Sequence, residues 1–324
     1  MRPLNKARLQ TVLALALLAP APALAQTWPD HSIRLVVPFP AGGPTDIIAR
    51  VVGQAMTEAL GQPVVIDNRG GAGGVTGTDQ VARAAPDGYT LALSSAGALS
   101  ISPSLQRMPY NSTKDLAPIT LVAKVPELLV VPASSPAKTL EDFIASAKAK
   151  PGAYNFASTG PGGMPHLAAE LLKATAKIDI VHVPYSGAAP AVTDLLGART
   201  EMMFADIPVL LPHVKAGTLR PLAVGSAKRV PMLPDVQTTA EQGLPAVEAE
   251  NWYGIVAPAA TPPAIVAKLN ATIVAALRSP EVRDKLVPIG AILVGDTPEE
   301  FKAYILSEEK KWAEVVRISG AKLD

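Results

Sequence analysis

The feature that most constrains this chain is an order of secondary-structure elements that occurs twice. The pattern of residues 33–95 predicts strand, glycine-rich loop, helix, strand, glycine-rich loop, helix and strand. The same order returns in residues 153–206, from "AYNFAS" to "TEMMFAD". Strands that alternate with helices in this way form parallel sheets with helices packed on their faces. The repeat therefore predicts an α/β protein with two lobes.

Two further β-rich runs predict connections between those lobes. Residues 119–131 form a run longer than one ordinary strand needs, broken only near Lys124–Glu127. Residues 247–258, "VEAENWYGIVAP", are a second candidate, in which Trp252 is expected to pack at the hinge. Two crossings make a two-segment hinge and return the C-terminal segment to the first lobe. The predicted boundaries are residues 27–125 and 246–324 for the first lobe and 126–245 for the second.

The N-terminal residues 1–26 have the pattern of a secretory signal peptide. Arg2, Lys6 and Arg8 precede a short apolar core, and Ala23-Leu24-Ala25 is an A-x-A cleavage site. An uncleaved N-terminal anchor is the alternative, but the apolar core is short for a membrane span. We expect cleavage after Ala25 and a periplasmic protein, because an exported chain with no cysteine fits a Gram-negative periplasm.

The mature chain would carry little net charge. Loss of the three leader cations, with no leader acid, takes the formal net charge from +1 to −2. A net charge of −2 does not indicate the excess of basic residues that binds nucleic acid or a membrane surface. We expect a monomer.

Most enzymatic, metal and cofactor motifs are missing from the sequence. It has no G-x-S-x-G or H-E-x-x-H, and its four histidines lack ligand spacing. The loop "GGAGGVTG" lacks the Lys-Ser/Thr of a P-loop and misses the spacing of G-x-G-x-x-G. We therefore expect no catalytic residue, no metal and no cofactor.

The glycine loops offer a ligand backbone N–H groups rather than functional side chains. The first N–H groups of a helix lack partners within the helix, and the helix dipole adds positive charge there. Residues 41–45 and 159–163 are two matched loops of this kind, each able to hold a carboxylate without an arginine. Turn chemistry alone is the alternative for each loop.

Several side chains near these loops have more than one possible role. Asp46 is expected either to be only an acid of the first helical turn, which the helix dipole favours, or to contact ligand amines or water. Ser94, Ser95 and Asp206 end equivalent strands, although Asp206 could equally cap the helix that follows it. Tyr185 and Ser186 add a ring and a hydroxyl before Gly187, whereas His166 is expected to be a first-turn helix residue rather than a ligand.

The chain resembles a known family over essentially its whole mature length. The motifs "RLVVPFPAGGPTDIIARVV", "VVIDNRGGAGGVTGTDQVARAAPDGYTL", "YNFASTGPGGMPHLAAELL" and "HVPYSGAAPAVTDLLGA", with "WYGIVAPAATP" after them, are similar to the Bug-type substrate-binding receptors of tripartite tricarboxylate transporters. The resemblance implies a type II periplasmic binding protein, or Venus flytrap, whose two lobes close on a small organic acid. It also implies delivery of that acid to a membrane permease.

The resemblance implies where the ligand binds. In such receptors the first-lobe loop, here Phe39–Asp46, holds a ligand carboxylate through backbone groups and ordered water. The second-lobe partners would be 158–163, 185–187 and 204–206, although many members have Phe-Asp-Asn where this chain has Phe204-Ala205-Asp206. The candidate ligand-binding residues are Phe39, Ala41, Gly42, Gly43, Thr45, Asp46, Ser94, Ser95, Ser158, Thr159, Gly160, Gly162, Gly163, Tyr185, Ser186, Gly187 and Asp206.

Three functions stay open at this point. The leading hypothesis is a solute receptor, a non-enzyme that closes around an organic anion. The alternatives are an exported α/β enzyme acting on a carboxylate and a ligand-sensing partner of a membrane kinase. The sequence names neither the ligand nor the permease.

Overall fold

The computed structural model describes residues 28–323, so the predicted signal peptide lies outside the described residues. Residues from His31 onward form one compact unit. Its first repeat begins with a short buried strand, and the predicted order of elements is observed. The elements are β1 (Ile33–Val37), α1 (Pro44–Leu60), β2 (Val64–Asn68), α2 (Val75–Ala82) and β3 (Thr90–Ser95).

A long strand and a helix lead to the second repeat, which again follows the predicted order. These connecting elements are β4 (Leu116–Pro132) and α3 (Leu140–Ala149). The second repeat comprises β5 (Tyr154–Ser158), α4 (Met164–Ala176), β6 (Ile180–Pro184), α5 (Ala188–Leu196) and β7 (Met202–Asp206).

The remaining chain completes both sheets and covers them. Its elements are α6 (Ile207–Lys215), β8 (Leu219–Val224), β9 (Glu250–Pro258), α7 (Pro263–Arg278), α8 (Pro280–Leu286), β10 (Ile292–Leu293) and α9 (Pro298–Ser319). Short 3₁₀ or π turns occupy 72–74, 97–101, 102–104 and 287–289. None of the described helices is long and apolar enough to cross a membrane.

The strands form one extended array in the order β2-β1-β3-β9-β4-β7-β5-β6. Within each repeat the strands are parallel, as predicted, since β1 pairs with β2 and β3, and β5 pairs with β6 and β7. Parallel strands place their carboxyl ends at one edge. The loops that start α1 and α4 therefore lie at that edge in their own repeat.

The strands β4 and β9 join the two repeats. Leu116–Pro126 of β4 pairs with β9, and from Glu127 onward β4 pairs with β7 while its end pairs with β8. The expected break near Lys124–Glu127 is wrong, because β4 is continuous and absorbs its irregularity in register shifts near Pro118 and Leu121. Backbone ladder bonds on both sides keep the strand extended through the polar residues.

The packing of Trp252 follows the expectation for the hinge. Its side chain is fully buried on β9 and meets the rings of Phe301 and Tyr304 edge-on. Its indole N–H donates to Glu308 of α9 at 3.1 Å. This contact ties the C-terminal helix to the strand that joins the repeats.

Candidate functional site

The glycine loops of the two repeats touch each other in this structure. A Cβ built on Gly73, whose φ is +62°, would lie 2.5 Å from the carbonyl oxygen of Pro161. A Cβ on Gly187 would lie 3.1 Å from the ring of Pro40. Such distances exclude a side chain at Gly73. The cleft between the repeats is therefore closed, with backbone against backbone.

A small cavity of about 20 Å³ lies between the two loops. It has room for about one water molecule. Seven of the predicted site residues line it, namely Phe39, Gly43, Thr45, Ser95, Thr159, Gly163 and Asp206. A more open cavity of about 360 Å³ lies beside it and is lined by Gly160, Tyr185, Ser186 and the loop 70–74. Ten of the seventeen candidates therefore come together at one place.

Two helices begin at the walls of the inner cavity. Gly43 and Gly163 are the N-cap residues of α1 and α4, and neither has a side chain that caps the free N–H groups. Proline at the first or second position of each helix removes one of those donors. The remaining first-turn donors and the positive end of each dipole favour a negatively charged group in the cavity.

Asp46 belongs to the loop rather than to the cavity wall. Its Oδ2 accepts hydrogen bonds from the Gly42 N–H and the Arg50 guanidinium, both at 2.9 Å, and its Oδ1 accepts one from Asn68 at 3.0 Å. Burial opposes ionisation of Asp46, but the hydrogen bonds from Arg50, Gly42 and Asn68 outweigh it and lower its pKa. Through these bonds Asp46 connects the loop to α1 and to the end of β2.

His166 makes the equivalent contact in the second repeat. Its Nδ1 accepts from the Gly162 N–H at 3.2 Å, four residues earlier, as Asp46 does for Gly42. The imidazole stacks on His182 at 4.1 Å and lies near Phe156. His166 lies in the first turn of α4, which agrees with the expectation that it is a helix residue rather than a ligand.

The other predicted residues outside both cavities support the walls. The Ser94 hydroxyl pairs with Thr78 at 2.8 Å, and the Ser158 hydroxyl pairs with His182 at 2.7 Å. Ala41 is exposed on the outer side of its loop. Gly42, Gly162 and Gly187 shape turns or close approaches. Strand alternation explains the serines, because Ser95 faces the cavity and Ser94 faces α2.

Asp206 forms part of the cavity wall and does not cap α6, although it occupies the N-cap position. Its Oδ2 accepts from the Tyr253 hydroxyl and, at 3.2 Å, from the Asn251 amide. Its Oδ1 is buried and has no hydrogen-bond partner among residues 28–323. Burial raises the pKa of Asp206 to about 7 although the bonds from Tyr253 and Asn251 act in the opposite direction.

Three residues of this region were missed from the sequence. Asn251 and Tyr253 also line the cavity, and Glu127 pairs with Asp206 across β4 and β7. A signal existed for the first two, because alternation along β9 puts them on the face opposite Trp252. Nothing in the local sequence linked Glu127 to Asp206. Within residues 28–323, no group of three or more His, Cys, Asp or Glu residues is placed to hold a metal ion.

Comparison with known proteins gives consistent results. The family model described as "Tripartite tricarboxylate transporter family receptor" matches residues 48–320. Protein BugT of Bordetella pertussis is 42% identical over 94% of each chain. The periplasmic binding protein BugD has a TM-score of 0.87 at 35% identity, covering 91% of this chain and 99% of its own. An R. palustris protein solved with adipate has a TM-score of 0.88 at 36% identity, covering 91% and 99%.

These matches confirm the predicted type II periplasmic binding protein fold with two α/β lobes. The family model is described as a receptor and BugD as a periplasmic binding protein, and neither as an enzyme, so the enzyme alternative is set aside. The family model begins within α1 and spans most of the compact unit, including the hinge strands and α9. The chain therefore belongs to the tripartite tricarboxylate transporter family of receptors.

Proposed function

We propose that this protein binds a small organic acid between its two lobes and delivers it to the membrane permease subunits of a tripartite tricarboxylate-type transporter. The observation that carries the proposal is that two helices without side-chain caps begin at one small cavity, at Gly43 and Gly163. Each start offers backbone N–H groups and a positive dipole end to a carboxylate. The R. palustris relative solved with adipate supports this ligand class.

Binding and release require the lobes to separate. A cavity of about 20 Å³ is far smaller than the several hundred cubic ångströms of ordinary ligand pockets. The hinge is β4 and β9, and we keep the proposed lobe boundaries of 27–125 with 246–324 and of 126–245. The change of partner of β4 between Pro126 and Glu127 supports the first boundary.

The proposal includes the site and the compartment. The ligand-contacting residues are the ten that line the two cavities, and the other seven candidates hold those walls in place. The protein is a periplasmic monomer, released by cleavage after Ala25. The sequence of the leader and the relatives described as periplasmic support this location.

A binding screen of the mature protein from Gln26 tests the proposal. Mono-, di- and tricarboxylates, amino acids and aromatic acids are added one at a time while the melting temperature is followed. A ligand present at 100 times its Kd should add about 2.7 kcal/mol of stability. The receptor assignment fails if no organic acid shifts melting while a hydrolase or lyase assay shows turnover.

Delivery is tested separately by uptake. Cells that lack this chain should lose uptake of the ligand found in the screen and should regain it when the chain is restored. Unchanged uptake in the deletion strain would remove the transport role and leave the binding role.

A further inference from the structure

Two buried carboxyl groups lie beside the cavity, and within residues 28–323 no cation is hydrogen-bonded to them. Asp206 is 3% exposed and Glu127 is fully buried. They are direct partners in the antiparallel pairing of β4 and β7, so their side chains emerge next to each other on one face. In the described part of the chain the hydrogen-bond donors to this pair are Tyr253 and Asn251, and neither of these is a cation.

The hydrogen bonds of this pair are incomplete. Tyr253 and Asn251 donate to Oδ2 of Asp206, while its Oδ1 and both oxygens of Glu127 have no hydrogen-bond partner among the described residues. Leaving a buried polar atom without a partner is costly, so each such atom calls for a proton or for a donor from elsewhere. For Asp206 the adjoining space is the ligand cavity itself.

The cavity therefore presents two opposite kinds of wall. The starts of α1 and α4 provide N–H donors, and Asp206 provides an acidic acceptor. The residues that line it include no lysine, arginine or histidine. A plain dicarboxylate would bring two negative charges next to the buried acid pair, whereas a ligand with one positive group would match both walls.

We propose that Asp206 determines ligand specificity by accepting a hydrogen bond from a protonated amine, so that the preferred ligands are organic acids that also carry an ammonium group. This inference rests on the proposed function, because it adds a second contact for the same bound acid. The carboxylate of the ligand lies at the helix starts, and the ammonium group lies at Oδ1 of Asp206.

Glu127 has a supporting role in this arrangement. Burial and the neighbouring charge of Asp206 raise the pKa of Glu127 well above its usual range, which disfavours a second negative charge beside Asp206. The titratable groups that face Asp206 are Glu127 on β4 and Tyr253 on β9, and burial followed by the charge of Asp206 raises the pKa of Tyr253 as well. Burial raises the pKa of Asp206 to about 7, so Asp206 changes its charge near neutral pH.

An ammonium group beside Asp206 favours its ionised form. Binding of an amine-bearing acid should therefore release a proton below about pH 7, and affinity should rise between about pH 6 and pH 8. A protonated Asp206 that donated to a plain dicarboxylate would give the reverse, with proton uptake and a loss of affinity at higher pH.

The experiment is calorimetry of the mature protein with pairs of acids that differ by an amine. The pairs are propanoate with β-alanine, succinate with L-aspartate, and glutarate with L-glutamate. The amine-bearing member of at least one pair should bind more tightly by about tenfold or more. Titration in buffers of different ionisation enthalpy should show proton release, and Asp206→Asn should remove both the preference and the release.

A control variant and a second measurement make the calorimetric result interpretable. Asp235→Asn removes an exposed acid and should leave the preference unchanged. If Asp206→Asn does not fold, the direction of proton exchange by the wild-type protein still separates the two modes, because an amine-bearing acid releases a proton and a plain dicarboxylate takes one up. Tighter binding of the plain acid in every pair overturns this inference and leaves the receptor function standing. Absence of binding by all six acids and by the wider carboxylate screen overturns both.

Discussion

The loops that begin α1 and α4 have nearly the same backbone but different chemistry behind them. Gly42 and Gly162 have φ of +83° and +73°, and the N-caps Gly43 and Gly163 have φ of −82° and −80°. In both loops a side chain at the third helical position accepts the N–H of the residue before the N-cap. The shared shape therefore depends on an acceptor at this position, whatever its charge.

The difference lies in what holds each acceptor. Asp46 is an anion whose charge is matched by Arg50 at 2.9 Å. His166 accepts through an unprotonated Nδ1 and is held by stacking on His182. The first loop can thus carry an acid near an anionic ligand because the adjacent cation offsets it. The second loop adds no charge through this contact.

The largest expected effect comes from filling the space between the loops. Gly43→Val should lower affinity for the acid found in the screen by about 100-fold or more, because its side chain enters the small cavity. The fold should survive, since φ at Gly43 is ordinary and a Cβ there meets only the Pro40 carbonyl oxygen, at 3.7 Å. Calorimetry measures the loss. Gly197→Val, at the end of α5 and away from both cavities, is the control, and equal affinities in wild type and Gly43→Val would remove the first loop from the site.

The next effect separates the charged loop contact from an ordinary surface ion pair. Asp46→Ala should lower the free energy of unfolding by about 2 kcal/mol, because it removes charge-assisted bonds from Gly42, Arg50 and Asn68. Asp79→Ala breaks an Arg83 pair of the same 2.9 Å length on α2 and should cost about 0.5 kcal/mol or less. Urea unfolding of both variants checks the difference. Similar losses of unfolding free energy in the two variants would mean that the bonds of Asp46 contribute no more than an ordinary surface ion pair.

The charge of Asp46 should also be visible in the pH dependence. Its pKa is lowered in the folded state, so its contribution to stability is present above the ordinary value of 3.8 and is lost as pH falls through the lower folded value. The stability gap between wild type and Asp46→Asn should therefore be widest near neutral pH and should narrow below about pH 4. Denaturant unfolding at a series of pH values measures the gap. A constant gap down to pH 3 would show that the charge contributes nothing.

The smallest effect is expected in the second loop. His166→Asn can place its amide oxygen close to the position of Nδ1, so the Gly162 hydrogen bond can be kept while the stacked ring is lost. We expect a loss of about 1 kcal/mol in unfolding free energy. His166→Ala removes the acceptor as well and should cost more and weaken ligand binding. Equal ligand affinity in the two variants would show that this hydrogen bond does not shape the loop.

Local patterns were enough to predict the repeat, the parallel strands and the place of both glycine loops. The reason is that helix starts, strand alternation and turns depend on residues a few positions apart. For the same reason the sequence predicted that Thr45, Ser95, Thr159 and Asp206 lie near one edge. Alternation alone did not decide between Ser94 and Ser95, because either face of a buried strand can carry a hydroxyl.

The remaining features of the site depend on contacts between segments far apart in the sequence. Glu127, Asp206 and Tyr253 come together only because β4 pairs with both β7 and β9, and the pairing of strands far apart in the chain is set by the packed core. The closed contact of Gly73 with Pro161 likewise depends on how the two repeats meet. The sequence by itself determined two backbone-lined loops suited to a carboxylate. The tertiary structure alone decided that an acid pair without a cation lies beside them, because burial and cross-strand neighbours set the charge of those groups.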